Sequence, residues 1–281
     1  MPATICLTPA AEAAVEAVGA EVATISAIVP AAGCGARANL EVNKVLAPLA
    51  GRPLLWWTLQ ALAATDSMAA GAELLEVIIA ARPAEWDAIR AVVDPISKWL
   101  HHSTPPHPTI SLVEGGANRQ ASMANAVRAA CGEFLLVHDA ARPLVSPQLI
   151  ACVCRAALRD GAAIAALPAS DTVKLARLQE GKIEKGGGAQ AVVEQTLDRG
   201  TIWLAQTPQV FRREILCEAL ARAEADGFIG TDCASLVERL SGPDRQPLQR
   251  VTIVEGEARN FKITFAADLE RAAALIDADS L

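Results

Sequence analysis

The sequence predicts an α/β fold: a doubly wound, mostly parallel sheet with a protruding β-hairpin arm. Three observations carry this. Short apolar runs rich in Val, Ile, Leu and Ala alternate with longer stretches of helical periodicity, the pattern of repeated strand–helix–strand units. The chemically unusual segments 30–44, 114–122 and 138–143 each follow such an apolar run, and ligands of doubly wound sheets sit beyond the carboxyl ends of the strands. Between 168 and 206 the rhythm breaks into short alternating runs punctuated by Gly181 and Gly186-Gly187-Gly188, as a hairpin leaving the main sheet does.

Taken in order, Ile25 and Ala27-Ile28-Val29 suit a strand buried on both faces. Pro53 fits the first turn of a helix through Leu62, where its missing N–H costs little. Leu74–Ala80 reads as a strand and Ala84–Val93 as a helix. Residues 94–109, with Pro95, Pro105, Pro106 and Pro108, read as a surface insertion. A strand at Ile110–Val113, a helix at Asn118–Ala130, a strand at Phe134–Val137, a helix at Pro147–Leu158 and a strand at Ala162–Leu167 follow. After the arm, Thr201–Ala205 returns to the sheet and Glu214–Ala225 is helical. Thr231 caps a helix through Leu240, Val251–Val254 is a late strand, and Ala266–Ile276 closes the chain as a helix. The expected organisation is an extension over 1–23, helical or frayed, and one domain over 24–281.

Composition narrows the function. A net charge of −7 argues against general nucleic-acid binding, which wants a basic face. Seven cysteines at irregular spacing make no disulfide framework and suit a reducing cytoplasm. Residues 1–23 lack the basic start and continuous apolar core of a signal peptide, and no window has the uncharged apolar length of a membrane span. His101, His102 and His107 lie in the Pro-rich insertion without a Cys partner, so a solvated loop is expected there rather than a metal site.

The chemistry concentrates at strand ends. Pro30 and the glycines of Pro30-Ala31-Ala32-Gly33-Cys34-Gly35 stop the strand and let a charged ligand approach backbone N–H groups. Arg37 and Lys44 add full positive charge, and the stretch reads as a triphosphate loop. It lacks the Gly-Lys-Ser/Thr of a P-loop and the third glycine of a dinucleotide fingerprint. Gly115-Gly116 and Ser122 suit a nucleobase or, equally, a turn feeding the next helix; Arg119 faces the sheet end or solvent. For Asp139 two readings stand: a Mg²⁺ ligand, since Mg²⁺ takes one or two carboxylates plus phosphate and water, or a turn cap paired with Arg142. His138 reads as an ordinary strand-end residue.

The motifs Ala31-Ala32-Gly33-x-Gly35-x-Arg37, Lys44, Gly115-Gly116-x-x-Arg119-x-x-Ser122, Val137-His138-Asp139-Ala140-Ala141-Arg142-Pro143, Asp171-Thr172-Val173-Lys174, Gln206-Thr207-Pro208-Gln209, Thr231-Asp232 and Asn260-Phe261-Lys262-Ile263-Thr264 resemble, in order, those of 2-C-methyl-D-erythritol 4-phosphate cytidylyltransferases. Each motif alone is weak or moderate; the ordered set, from about residue 25 to 277, is specific. The resemblance implies a Rossmann-like nucleotidyltransferase fold and transfer of CMP from CTP to a sugar-alcohol phosphate with release of pyrophosphate, a step of non-mevalonate isoprenoid biosynthesis. It implies that Ala31, Ala32 and Gly33 face cytosine and ribose, that Gly116 and Ser122 complete the base site, and that Gly35 and Arg119 belong to the nucleotide site. It gives Arg37 and Lys44 the triphosphate, Asp139 a Mg²⁺ with Arg142 beside it, and Arg142, Thr172, Arg199 and Lys262 the sugar phosphate. Arg199 counts among the catalytic set and Lys262 also among the nucleotide contacts. The arm of such enzymes reaches a neighbouring subunit, implying a homodimer with composite sites. The sequence departs from the pattern at Asn43, where a proline often precedes the lysine, at Ala36, where another basic residue can stand, and in its N-terminal extension and Pro-rich insertion.

The implied chemistry needs no general base, because the attacking phosphate oxygen is already ionised. Bringing two anions together is the difficulty, so positioning and positive charge must supply the acceleration. The alternatives are a cytidylyltransferase for ribitol or glycerol phosphate, and a non-catalytic nucleotide-binding domain; intact Arg37, Lys44 and Asp139 argue against the latter. Arg37→Ala and Lys44→Ala are each expected to lower turnover ~10²-fold or more, as loss of one oxyanion donor does. Steady-state pyrophosphate release measures this, and near-normal turnover in both variants removes them from the mechanism.

Overall fold

In the computed structural model the described residues are 22–33, 43–65, 70–100, 108–178, 191–240 and 249–279. The strands are β1 (Ala23–Pro30), β2 (Pro48–Leu49), β3 (Arg52–Pro53), β4 (Ala72–Ala81), β5 (Thr109–Glu114), β6 (Phe134–Val137), β7 (Ala162–Pro168), β8 (Lys174–Leu178), β9 (Ala191–Thr196), β10 (Trp203–Arg212) and β11 (Thr252–Glu255). The helices are α1 (Leu54–Ala63), α2 (Trp86–Leu100), α3 (Arg119–Ala129), α4 (Pro147–Asp160), α5 (Arg213–Ala225), α6 (Cys233–Val237) and α7 (Ala266–Asp279).

The main sheet runs β11-β7-β10-β6-β1-β4-β5. β10 is antiparallel to both neighbours, and every other pairing in this sheet is parallel. The chain winds from β1 outward through β4 to β5, then crosses to β6 on the other side of β1. That reversal opens a crevice at the carboxyl ends of β1 and β6. The pleat of β1 explains why both faces must be covered. Ile25, Ala27 and Val29 join one core with Leu55, Leu59, Ile89, Ile150 and Val153, while Ile28 joins the other with Met123, Leu216 and Leu236.

Expected and observed elements differ in three informative places. The helix expected to stop at Val93 continues through Pro95 to Leu100. Ile89, Val92, Val93 and Ile96 are all buried, so the apolar stripe runs past the proline, and burying Ile96 offsets part of the roughly 3 kcal/mol an interior proline costs. The cap of α6 is Asp232 rather than Thr231: the Asp232 carboxylate accepts from Ser235 N–H at 2.9 Å, in a capping box. The returning strand is longer than Thr201–Ala205 and lies inside the sheet between β6 and β7. Pro208 is accommodated because the β10–β7 register shifts between Ala205 and Gln209.

The arm is rooted in the main ladder. Ala169 N–H donates to the Ile202 carbonyl at 2.9 Å and Leu197 N–H to that of Val173 at 3.0 Å, and β8 and β9 then pair as a separate antiparallel ribbon. A third cluster, with Leu49, Leu54, Leu144, Ile263, Ala272 and Ile276, packs α7 beneath the segment carrying Lys262. No helix among the described residues is long and apolar enough to cross a membrane. Of the extension expected over 1–23, residues 1–21 lie outside the described residues and Ala23 already belongs to β1; the histidines at 101, 102 and 107 also lie outside the described residues.

Candidate active site

A cleft of about 520 Å³ opens at the carboxyl ends of β1, β5 and β6. Its walls come from the three segments singled out in the sequence: Ala31, Ala32 and Gly33 after β1 with Lys44 beyond them, Gly116 and Arg119 after β5, and Asp139 after β6, joined by Lys262 from the segment before α7. Close approach explains the glycines after β5. A Cβ on Gly115 would stand 2.5 Å from the Ala32 Cβ, and one on Gly116 would stand 2.4 Å from the Ala121 Cβ. Gly116 N–H donates to Ser122 Oγ at 3.0 Å, and that hydroxyl donates to the Asn118 carbonyl at 2.8 Å. Ser122 therefore fixes the curvature of the wall, with its proton already committed.

Asp139 is a buried carboxylate surrounded by cations. Lys262 Nζ donates to Oδ2 at 2.7 Å, Arg119 Nη2 lies 3.5 Å from Oδ1, and Arg142 Nε lies 4.0 Å from Oδ2. Burial alone would raise its pKa. The Lys262 ammonium, aided by Arg119 and Arg142, overrides that and holds the carboxyl well below the usual carboxylate range. Behind Arg119 sits the Cys233 thiol, 3.9 Å from Nη1; burial pushes it up to about 11, so it contributes no charge. Among the described residues no group of three or more His, Cys, Asp or Glu is placed to hold a metal. One carboxylate beside this cleft would leave the remaining positions of a bound cation to phosphate oxygens and water.

Lys44 opens a 3-10 turn, and its Nζ donates to the Ile263 carbonyl at 2.7 Å. The residue before it compensates for the absent proline. Asn43 is buried, and its amide donates to the Ala31 carbonyl at 2.7 Å and to Glu85 Oε2 at 2.9 Å, while its Oδ1 accepts from Val45 N–H at 3.2 Å. Lys44 is thereby tied to the end of β1 through side-chain hydrogen bonds rather than through a restricted φ.

A family model described as IspD, 2-C-methyl-D-erythritol 4-phosphate cytidylyltransferase, matches residues 25–278. The chain belongs to this cytidylyltransferase family. A protein of that name from Bacillus pumilus is 38% identical over 253 residues, covering 90% of this chain and 96% of the relative. One from Acidobacterium capsulatum is 39% identical over 254 residues, covering 88% and 94%. Among solved structures, the 2-C-methyl-D-erythritol 4-phosphate cytidylyltransferase of Thermus thermophilus superposes with a TM-score of 0.65 at 34% identity, over 90% of this chain and 99% of that one. The 4-diphosphocytidyl-2C-methyl-D-erythritol synthase of Anaerococcus prevotii gives 0.71 at 25% identity, over 91% and 96%.

The cytidylyltransferase fold gathers Ala31, Ala32, Gly33, Lys44, Gly116, Arg119, Ser122, Asp139 and Lys262 at one cleft. Gly35 and Arg37 lie outside the described residues. Arg142 stands apart from the cleft lining. It is buried beneath the strand end, where Nη1 donates to the Asn260 carbonyl at 2.7 Å and Nη2 reaches the Ala205 carbonyl at 3.4 Å. Thr172 and Arg199 are exposed on the arm and are not among the residues lining the cleft, with Arg199 Nη1 donating to the Ser170 carbonyl at 2.9 Å.

Three residues without an assigned role hold this arrangement. Asp139 N–H donates to Thr207 Oγ1 at 3.0 Å, so the Thr207 hydroxyl proton goes to His138 Nδ1, also at 3.0 Å, and His138 Nε2–H donates to the Arg142 carbonyl at 3.1 Å. Asn260, fully buried, donates to Gln206 Oε1 at 3.1 Å and the Thr207 carbonyl at 2.8 Å. That bond fixes the backbone leading to Lys262. The sequence signal for Thr207 and Asn260 is their place in the family motifs; nothing local marks them.

His138 makes stability pH-dependent. Burial pushes its imidazole down to about 4 from an ordinary value near 6.5, so the unfolded chain binds the proton more tightly. The stability it contributes is complete above pH 6.5 and is lost as pH falls toward 4. Urea unfolding should show a loss of about 2 kcal/mol between pH 7 and pH 5, and His138→Gln should remove that slope. An unchanged slope in the variant would contradict the assignment.

Proposed function

We propose that this cleft transfers CMP from CTP to 2-C-methyl-D-erythritol 4-phosphate, giving 4-diphosphocytidyl-2-C-methyl-D-erythritol and pyrophosphate. The observation that carries the reading is the convergence of Lys44, Arg119, Lys262 and Asp139 beside walls of small residues in a chain of this family. Backbone at Ala31, Ala32, Gly33 and Gly116 offers donors and acceptors to the nucleoside without intervening side chains. Lys44, Arg119 and Lys262, with Arg37, which precedes Lys44 in the sequence, neutralise the triphosphate and the incoming phosphate so that they can meet in line. Arg119 presents a planar fork of donors and each lysine a mobile point charge. His138 does no proton transfer, since both its ring nitrogens are spent on Thr207 and Arg142. Asp139 would hold Mg²⁺ jointly with the nucleotide, and such an ion when bound neutralises phosphate oxygens and assists departure of pyrophosphate.

The acceptor site is completed by a second copy of the chain. Thr172 and Arg199 stand on the arm and are not among the residues lining their own cleft, and Leu175, Val192, Val193, Trp203 and Leu204, on the arm and its root, are large apolar residues left exposed, a surface that favours association. The free thiols Cys131, Cys152, Cys154, Cys217 and Cys233 suit a reducing compartment, and we place the enzyme in the cytoplasm.

Pyrophosphate release should require CTP, Mg²⁺ and 2-C-methyl-D-erythritol 4-phosphate together, with ATP, GTP and UTP inactive. Release with ribitol or glycerol phosphate instead would change the acceptor, and CTP binding without release would point to a non-catalytic domain. Arg199→Ala should raise KM for the sugar phosphate and leave KM for CTP unchanged; a pure CTP defect would reject its placement.

A further inference from the structure

The ion pair between Lys262 and Asp139 joins unequal partners. The carboxylate is 12% exposed and the ammonium-bearing side chain 44%. The backbone around Lys262 is clamped: Asn260 is bonded to Gln206 and Thr207, Ile263 N–H donates to the Ala141 carbonyl at 2.8 Å, and Ile263 packs against α7. The side chain of Lys262 lines the cleft. Its ammonium sits 2.7 Å from Oδ2, an oxygen that a divalent cation on Asp139 would take.

Resting on the proposed transfer activity, we propose that Lys262 is a displaceable counter-ion that keeps divalent metal off Asp139 until a nucleoside triphosphate draws the ammonium away. Metal and nucleotide therefore load together, and metal does not bind first. Mg²⁺ gives up its water reluctantly and wants several oxygens. A single carboxylate already neutralised by Lys262 and flanked by Arg119 and Arg142 offers little. A triphosphate offers phosphate oxygens to the metal and a stronger anionic partner to the lysine. Lys262 exchanges one anion for another by changing rotamer, and the buried carboxylate never stands uncompensated.

The test is Mn²⁺ binding to the full chain at pH 7, followed by electron paramagnetic resonance of free Mn²⁺. Without nucleotide, Lys262→Met should bind Mn²⁺ at least tenfold more tightly than the wild type, Lys262→Arg should match the wild type, and adding Asp139→Asn to Lys262→Met should remove the gain. Equal affinities in wild type and Lys262→Met, including no binding by either, overturn the proposal, as does a gain that survives Asp139→Asn. In the wild type, enhanced water-proton relaxation should appear with Mn²⁺ plus CTP and not with Mn²⁺ alone; equal enhancement in both overturns it. The first arm contains no nucleotide, so it reads Lys262 independently of pyrophosphate release, whose absence would reject the transfer activity instead.

Discussion

A carboxylate taken out of water must find positive charge, and the cleft is built on how Asp139 does so. Its partners come from three places in the chain: Arg119 at the start of α3, Arg142 just beyond Asp139 in the turn after β6, and Lys262 before α7, 123 residues away. Satisfying one buried anion thus draws the end of β6, the α3 helix and the C-terminal segment to one point. The cations that neutralise Asp139 also suit a triphosphate. Structural necessity and chemical capacity meet in the same ion pairs, which explains how an acidic protein can present a locally positive cleft.

Beneath the charges lies a neutral relay that sets their positions. Thr207 receives the Asp139 N–H and passes its own proton to His138, which donates in turn to the Arg142 carbonyl. Asn260 binds the Thr207 carbonyl from the other side. The antiparallel strand β10, which breaks the parallel pattern, brings Thr207 under the end of β6. Asn43 plays the corresponding part across the cleft, tying the Lys44 turn to Ala31 and Glu85. The backbones that carry Lys44 and Lys262 are both held by these hydrogen bonds, and both side chains line the cleft.

Hydrophobic periodicity makes the strand–helix alternation legible, because buried parallel strands leave apolar runs and their covering helices leave stripes. The same rule places 30–44, 114–122 and 138–143 at one sheet edge. It fails where tertiary packing overrides local signals. The strand expected to end at Ala205 runs on through Gln206-Thr207-Pro208-Gln209, where Gln206, Thr207 and Gln209 are buried in a central strand because their polar groups find partners there. Pro95 looks like a helix end, yet Ile96 carries the stripe onward. Lys262 is legible only through family resemblance, since nothing local separates it from other surface lysines. The burial of Arg142 is not legible either, because its partners, the Asn260 and Ala205 carbonyls, lie 118 and 63 residues away.

The claim that one ionised carboxylate organises the chemistry of this cleft is tested most directly by turnover of Asp139→Asn. This substitution preserves the shape of the side chain and removes its charge. Pyrophosphate release by the folded variant, with folding verified by circular dichroism, should fall ~10²-fold or more. Turnover within a few-fold of the unaltered protein would contradict the account.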